Sequence, residues 1–552
     1  MNNIKLKYGN RVIENIIPGT SVYEISKLVQ GDFKYPIIGA KIDNLNVDLN
    51  DLIMDNGTIE FFDNSFIEGN IIYERSLELL VIAASHEVLS SSSDVLINYS
   101  LDGGIYCEVE GQKITSKTVE NLETKMRELV SLGLPINKSK VARTEAIKYF
   151  TKTGQVDKVK NLNYMSNSTV DLHKLKNTYD YFFGPLVHDT AQIDKFSLTY
   201  IKNNYFVVNY PLFIYPSNVS KYVSHDNLFK KYDELLNWGK TINIRMASDL
   251  NDWGARGEYG DAIRIFEANF ENDLSKVAED IYKRKDSIKV IFLSGPSSSG
   301  KTTTSKKLSL YLQAKGIKTY QISLDDYLVE RNLTPKDKNG EYDFDDIKAT
   351  DVKLFNKHLN KLFKGEVVNI PRHDFESGTN IYDGNSIKLE SDNLLIVEGT
   401  HALNDKMSEG ISRESKYKIF LSPLAWLKID NHNRVRSTDI RKLRRIVRDS
   451  RFRGTSAEET LKMWHNVDRG TALNIYPFQD DTDYIINSSL SYEIGVLRIY
   501  AEPLLYGIGP DSSVYPDALR LINLLRQFMP ISSEEVPKDS ILREFIGEGV
   551  FN

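Results

Sequence analysis

The chain has 552 residues, 41% of them apolar and 26% charged, with a net charge of −6. That length exceeds one hydrophobic core and predicts about two to four domains, and the mild acidity argues against a whole-chain polyanion binder while leaving room for local basic patches. A single cysteine, Cys107, excludes an internal disulfide and fits a reducing, cytoplasmic setting. No apolar run approaches the ~18 residues of a membrane span, and none follows a basic leader.

Residues 1–65 alternate as short strands at 4–7, 11–17, 37–42 and 59–62. They surround one helix at 22–29, announced by the turn Pro18-Gly19-Thr20-Ser21. This layout resembles the TGS domain, a β-grasp module at the front of threonyl-tRNA synthetases and several regulatory proteins. Residues 66–240 open with a helical pattern that places Leu77, Leu80, Val81, Ala84 and Val88 on one face, then mix strands with polar turns. Their order resembles the α+β editing domain that follows TGS in those synthetases, whose polar site combines an H-x-x-x-H pair with a C-x-G-P-H segment. Arg75, Leu79, Phe182 and Leu186 stand at those four positions. Neither imidazole nor thiolate is therefore expected there to bind metal or activate water.

His86, His173 and His188 lack an i, i+4 partner and read as surface or core histidines. An aromatic stretch over 179–215 alternates at 205–215 like strands with one buried face, which is favoured over a base-stacking platform. The resemblance still offers RNA as a partner of this half.

Residues 241–285 read as a connecting helix, with Phe266, Phe270, Leu274, Val277 and Ile281 at helical spacing. Residues 286–510 then alternate apolar runs with helices, as a parallel sheet requires, with strands expected at 319–324, 394–397, 417–421 and 484–487. The first run leads into Gly295-Pro296-Ser297-Ser298-Ser299-Gly300-Lys301-Thr302-Thr303, which fits G-x-x-x-x-G-K-[ST]. Gly295 turns the chain off the strand, and Gly300 lets backbone N–H groups approach phosphate. Lys301 would meet the β- and γ-phosphates, Thr302 would hold Mg²⁺, and a helix at 303–314 would aim its positive end at the anion. Asp325-Asp326 and Glu398-Gly399 close two later strands, at the edge where carboxylates can hold Mg²⁺ and accept a proton from an attacking hydroxyl. Which of Asp325 and Asp326 is the base stays open.

Between 431 and 454 there are nine Lys/Arg against two Asp, with Arg441, Arg444, Arg445 and Arg448 on one helical face. Such guanidinium groups neutralise charge on a transferred phosphoryl group. The loop, Asp325, Tyr342-Asp343-Phe344-Asp345, Ile370-Pro371, Asp374-Phe375, Glu398-Gly399 and this basic lid together resemble the uridine kinase and phosphoribulokinase family of P-loop kinases, over roughly 288–490. With the front half, the layout resembles bacterial TGS-fused nucleoside kinases, in which segments like Asp430-Asn431-His432-Asn433-Arg434 recur.

The resemblance implies an ATP- and Mg²⁺-dependent kinase acting on a nucleoside-like hydroxyl. Lys301, Asp325 and Arg448 would be catalytic, and Thr302 and Glu398 would support the metal. The nucleotide would contact Gly295, Ser297, Ser298, Ser299, Gly300, Lys301, Thr302, Thr303, Arg444 and Arg453. Asp345 falls where uridine kinases hold ribose hydroxyls, whereas His373 and Gly378 replace their base-stacking tyrosine and base-reading histidine. The competing reading is a nucleotide-gated RNA-binding regulator, which would need neither an acceptor base nor a lid. Residues 511–552 form a tail with a helix at 518–528, placed to dock on the front half or on a second subunit.

Overall fold

The computed structural model describes residues 3–336, 340, 342–374, 377–390 and 392–551; Phe375, one of the family markers, lies outside them. The first module is a five-stranded sheet in the order Arg11–Ile16, Ile4–Tyr8, Gly57–Asp63, Ile37–Ile42, Leu45–Val47. Ile4–Tyr8 runs parallel to Gly57–Asp63, and the other pairs are antiparallel. Its helix, Val22–Val29, begins where the Ser21 hydroxyl accepts from the Glu24 N–H and the Glu24 carboxylate accepts from the Ser21 N–H. The helix buries Val22, Ile25 and Val29 against Leu6, Ile59 and Phe61.

The next helix, Ile67–Val88, differs from the one-faced helix expected of it. It is buried on nearly all sides, Glu74, Arg75 and Glu78 included. Its apolar side packs on a four-stranded antiparallel sheet, Ser197–Lys202, Tyr205–Asn209, Gly104–Glu110, Asp94–Leu101, while Glu74 and Glu78 turn to the second half of the chain. Tyr205–Asn209 is likewise buried on both faces. Phe206 and Val208 join that helix's cluster, and Tyr205 and Val207 join Phe229 and Tyr232 of the helix Asp226–Ile242. The expectation of one buried face fails because this second helical layer is invisible to strand alternation.

The 241–285 segment is two helices, Ala247–Ala255 and Tyr259–Lys283, and the longer one starts before the first apolar residue of its pattern. Its Phe266, Phe270, Leu274 and Val277 share one core with the second half's sheet. That sheet is five-stranded and parallel throughout, in the order Thr319–Ser323, Leu394–Glu398, Val290–Ser294, Lys416–Ser422, Tyr484–Asn487. The strand that carries the phosphate loop is therefore central, with the Glu398 strand beside it and the Asp325 strand beyond that. The lid is the helix Ser437–Phe452, backed by Ala457–Asn474 and Glu493–Tyr506.

The tail docks within its own chain. Its helix, Tyr515–Leu525, is followed by Gln527, whose side chain accepts from Asn161 and whose carbonyl accepts from Asn251. The chain then crosses the phosphate-loop helix, where Lys307 donates to Asp539. Among the described residues no helix is long and apolar enough to cross a membrane.

The two halves are clasped through 428–436. Lys158, wholly buried, lies 2.7 Å from Asp180 and 3.0 Å from Asp430. His432 bridges Asp180 and Asp94, Tyr181 donates to Asp430 at 2.7 Å, and Arg434 pairs with Glu74 and Glu78. Burial and the neighbouring Lys158 oppose a charged imidazole, but Asp180 and Asp94 prevail and push the His432 pKa up to about 10.

Because that value lies above the ordinary 6.5, the stability supplied by His432 is complete below pH 6.5 and is lost as the pH rises through about 10. Thermal melts should therefore fall more steeply from pH 7 to pH 10 for the parent than for His432→Gln. Parallel curves would contradict the ion-pair account.

Candidate active site

The loop after Val290–Ser294 is shaped for close backbone approach. A Cβ on Gly295 would lie 2.0 Å from the Leu421 carbonyl oxygen, and Ser298 and Gly300 take left-handed φ values of 62° and 90°. The Ser298 and Ser299 hydroxyls are buried without a hydrogen-bond partner among the described residues. The helix Lys301–Gln313 starts directly from Gly300, so its first N–H groups face the loop. Lys301 folds back onto the carbonyls of Gly295 at 3.0 Å and Pro296 at 3.3 Å, and burial lowers its pKa. These features fit a polyphosphate: orphan donors, a cation and no side chain where the backbone must approach.

Beside the loop, Glu398 accepts from the Ser323 hydroxyl at 3.0 Å and from the Thr302 hydroxyl at 3.3 Å. Burial, then the nearby Asp325, raises its pKa to about 7. Thr302, Ser323 and Glu398 are hard oxygen donors, the type Mg²⁺ takes together with substrate phosphates. The described residues contain no group of three or more His, Cys, Asp or Glu that would form a cage by themselves.

Asp325 and Asp326 diverge. Asp326 accepts from the His373 backbone, and burial raises its pKa. Asp325 is exposed, and its carboxylate has no cation within 4.0 Å among the described residues, while it lies within electrostatic reach of Lys301 and Glu398. Asp345 is pushed up to about 6 by burial, against the pull of Arg445 and Arg441.

The lid requires one correction. Arg444, expected at the nucleotide, is completely buried beneath the loop. Its guanidinium forks onto Glu493 at 2.6 and 3.0 Å and donates to the carbonyls of Ser488 at 2.5 Å and Ser298 at 3.3 Å. All its directions are used, so it braces the loop rather than meeting a ligand. Arg441 also braces the loop, donating to the Ser297 carbonyl at 3.0 Å, but its Nη1 is buried without a hydrogen-bond partner among the described residues. Arg445 reaches the Ser297 hydroxyl at 3.4 Å. Arg448 and Arg453 are held by Asp449, within electrostatic reach of Lys301 and Asp325 respectively. His373 sits in the hairpin Arg372–Asp374/Thr379–Ile381, with its ring buried and 2.8 Å from Asn380. Gly378 has φ +70°, and the Arg331 side chain lies where its Cβ would be.

Two further residues belong to the site. His401, three residues after Glu398, is 3% exposed, and neither ring nitrogen has a hydrogen-bond partner among the described residues. Burial lowers its pKa to about 4, and Asp346, Asp325 and Asp343 lie within electrostatic reach. Glu544, from the tail, accepts from the Thr303 N–H at 3.1 Å and the Thr303 hydroxyl at 2.8 Å. A carboxylate thus rests on the first turn of the phosphate-loop helix. The Glu398-Gly399 marker pointed to the neighbourhood of His401, but no sequence signal ties Glu544 to a loop more than two hundred residues away.

Residues 290–494 match the Phosphoribulokinase / Uridine kinase family. The front half is similar to threonine–tRNA ligases. That of Sulfurihydrogenibium sp. (strain YO3AOP1) is 26% identical over 192 residues, covering 34% of this chain and 30% of the ligase. Threonine–tRNA ligase 1 of Bacillus subtilis (strain 168) is 24% identical over 206 residues, covering 37% of this chain and 32% of the ligase. The chain thus spans about a third of the length of these relatives. A solved structure described as a possible uridine kinase from Bacillus stearothermophilus is 17% identical, with a TM-score of 0.25, covering 36% of this chain and 89% of that one. Residues 290–494 thus match the Phosphoribulokinase / Uridine kinase family, on a parallel sheet that carries a phosphate loop, behind a front half similar to threonine–tRNA ligases.

Proposed function

We propose that this chain transfers the γ-phosphoryl group of ATP to a hydroxyl of a nucleoside or nucleoside-like polyol. The observation that carries the reading is Asp325: an exposed carboxylate without an ion pair among the described residues, just beyond the end of a parallel strand, within electrostatic reach of the phosphate-loop lysine. A gate has no use for such a group, whereas an acceptor hydroxyl needs a base beside the phosphorus. Bound ATP with its Mg²⁺ would supply the electrophilic phosphorus, with Thr302 and Glu398 as the ion's protein ligands.

In this reading Asp325 takes the acceptor's proton, and Asp326, tied to the His373 backbone, does not. Lys301, Arg448 and Arg453 offset the charge that spreads over the transferred group. The loop amides, including Thr303's, bind the nucleotide's phosphates once Glu544 has swung away. Asp345 accepts hydrogen bonds from vicinal hydroxyls, and neutral His401 offers one donor and one acceptor to the same polyol. Asn380 is engaged by His373 and by the Leu328 carbonyl, and Arg372 by Asp383, so neither is free to replace the missing pyrimidine-reading histidine at Gly378. The domain limits 1–65, 66–240, 241–285, 286–510 and 511–552 are retained as part of this proposal, with the front half as a binding or packing platform.

Four measurements test it. Lys301→Ala should lower kcat about 10²–10³-fold, because no neighbour replaces its charge. Asp325→Asn should keep ADP affinity while losing about 10²–10⁴-fold in turnover; a near-parental rate would remove Asp325 as the base. Glu544→Ala should bind ADP ~10-fold more tightly by calorimetry, since an anion leaves the anion's seat; unchanged or weaker binding would show that Glu544 does not compete. Finally, kcat/KM for uridine, cytidine, adenosine, guanosine, inosine and ribose should differ by less than ~10³-fold, and a larger preference for the two pyrimidine nucleosides would refute the loss of base reading.

A further inference from the structure

Far from the phosphate loop, a cleft of about 420 Å³ opens between the first module, the helix Ile67–Val88, the segment before Pro185 and the tail helix Tyr515–Leu525. A smaller space of about 60 Å³ continues behind it toward Arg434, Arg436 and Arg520. Arg75 lines both spaces.

The cations around Arg75 are already partnered. Arg434 is held by Glu74 and Glu78, Arg436 by Glu74 at 2.7 Å, and Arg520 by two bonds to Asp439 at 2.7 and 2.8 Å. Arg75, 9% exposed, donates only to the Pro185 carbonyl at 2.9 Å and has no carboxylate within 4.0 Å among the described residues. Burial and the adjacent Arg436 lower its pKa to about 10, which leaves it charged at neutral pH. Glu78, the acid that acts most strongly on Arg75, is itself pushed toward its neutral form by burial. A buried guanidinium without a counter-charge is unfavourable by several kcal/mol, and its planar fork is shaped for the two oxygens of a carboxylate or phosphate.

The walls fit the same reading. Gly184 has φ +138°, and a Cβ there would lie 2.7 Å from the Arg75 Nη1, so glycine leaves that guanidinium edge accessible. Phe182 and Phe183 give the cleft an apolar side, and the other charged groups lining it are balanced, Glu68 pairing with Lys41, Asp517 with Arg520 and Arg526 with Glu502. The volume is in the range of small-molecule sites.

We propose that this cleft binds a small organic oxyanion, a carboxylate or a phosphate monoester with a compact apolar body, anchored by Arg75. The site is built from segments that do not touch the phosphate loop, so it stands independently of the kinase reading.

The test uses the full chain carrying Lys301→Ala, which silences the phosphate loop, and titrates it calorimetrically with inorganic phosphate, phenyl phosphate and benzoate. At least one probe should bind one to one below ~1 mM, the aromatic probes more tightly than inorganic phosphate. Adding Arg75→Met should weaken binding ~10-fold or more, and Arg75→Lys less. Should Arg75→Met fail to fold, Asn523→Trp, an exposed position lining the cleft, should block binding sterically with Arg75 intact. The preference between phenyl phosphate and benzoate identifies the head group. No binding at ~10 mM, or binding that survives both Arg75→Met and Asn523→Trp, would overturn the proposal.

Discussion

The buried charges around Asp430 set the arrangement of everything else. Lys158, Asp180, Asp430 and His432 are each 1% exposed or less, and two cations face two anions there, with Asp94 at the edge of the set. Removing one member strands the others in a low-dielectric interior, which is far worse than removing an exposed pair. The network comes from both halves of the chain: Lys158 and Asp180 from the editing-like unit, Asp430 and His432 from the loop between the strand Lys416–Ser422 and the lid helix. The segment that launches the lid is therefore held by the front half. A shared apolar core extends the contact, since Tyr99, Tyr106 and Tyr205 pack in the same cluster as the parallel sheet.

That constraint passes into the phosphate loop. The lid helix begins at Ser437, soon after the clasp, and its Arg441 and Arg444 run beneath the loop to the carbonyls of Ser297 and Ser298. Loop geometry thus rests on buried arginines whose own position depends on the clasp. The tail, which packs on the lid helix with Phe545 beneath the Arg444 guanidinium, lays Ile541 against Gly300 and Glu544 on Thr303. A carboxylate on a helix N-terminus is a favourable contact in its own right. The tail thus covers the N-terminus of the phosphate-loop helix, with the Glu544 carboxylate on the Thr303 N–H, and in the proposed function nucleotide phosphates would compete with it there.

The parts legible in the sequence are those whose chemistry is local. The G-x-x-x-x-G-K-[ST] spacing locates Lys301 and Thr302 without any tertiary knowledge, and Asp325 and Glu398 follow because each closes an apolar run in a parallel sheet. The β-grasp module was legible for the same reason, its strands and capped helix being short-range patterns. The place of Arg444 is not legible, because helical periodicity says which residues share a face but not whether that face meets solvent or a buried Glu493. The full burial of Ile67–Val88 is hidden as well, because the partner of Glu74 and Glu78 lies more than three hundred residues away. His401 and Glu544 carry no signature of their own; only the packed chain brings them to the site.

The central claim is that the phosphate loop serves transfer to a small acceptor, not gating by hydrolysis. The most direct measurement follows the fate of the γ-phosphoryl label of ATP during turnover with a mixture of nucleosides and ribose. The account predicts that the label appears in a phosphate monoester of one of these acceptors, one ester for each ADP formed. Label recovered only as inorganic phosphate, at a rate set by added tRNA and indifferent to every small acceptor, would contradict it.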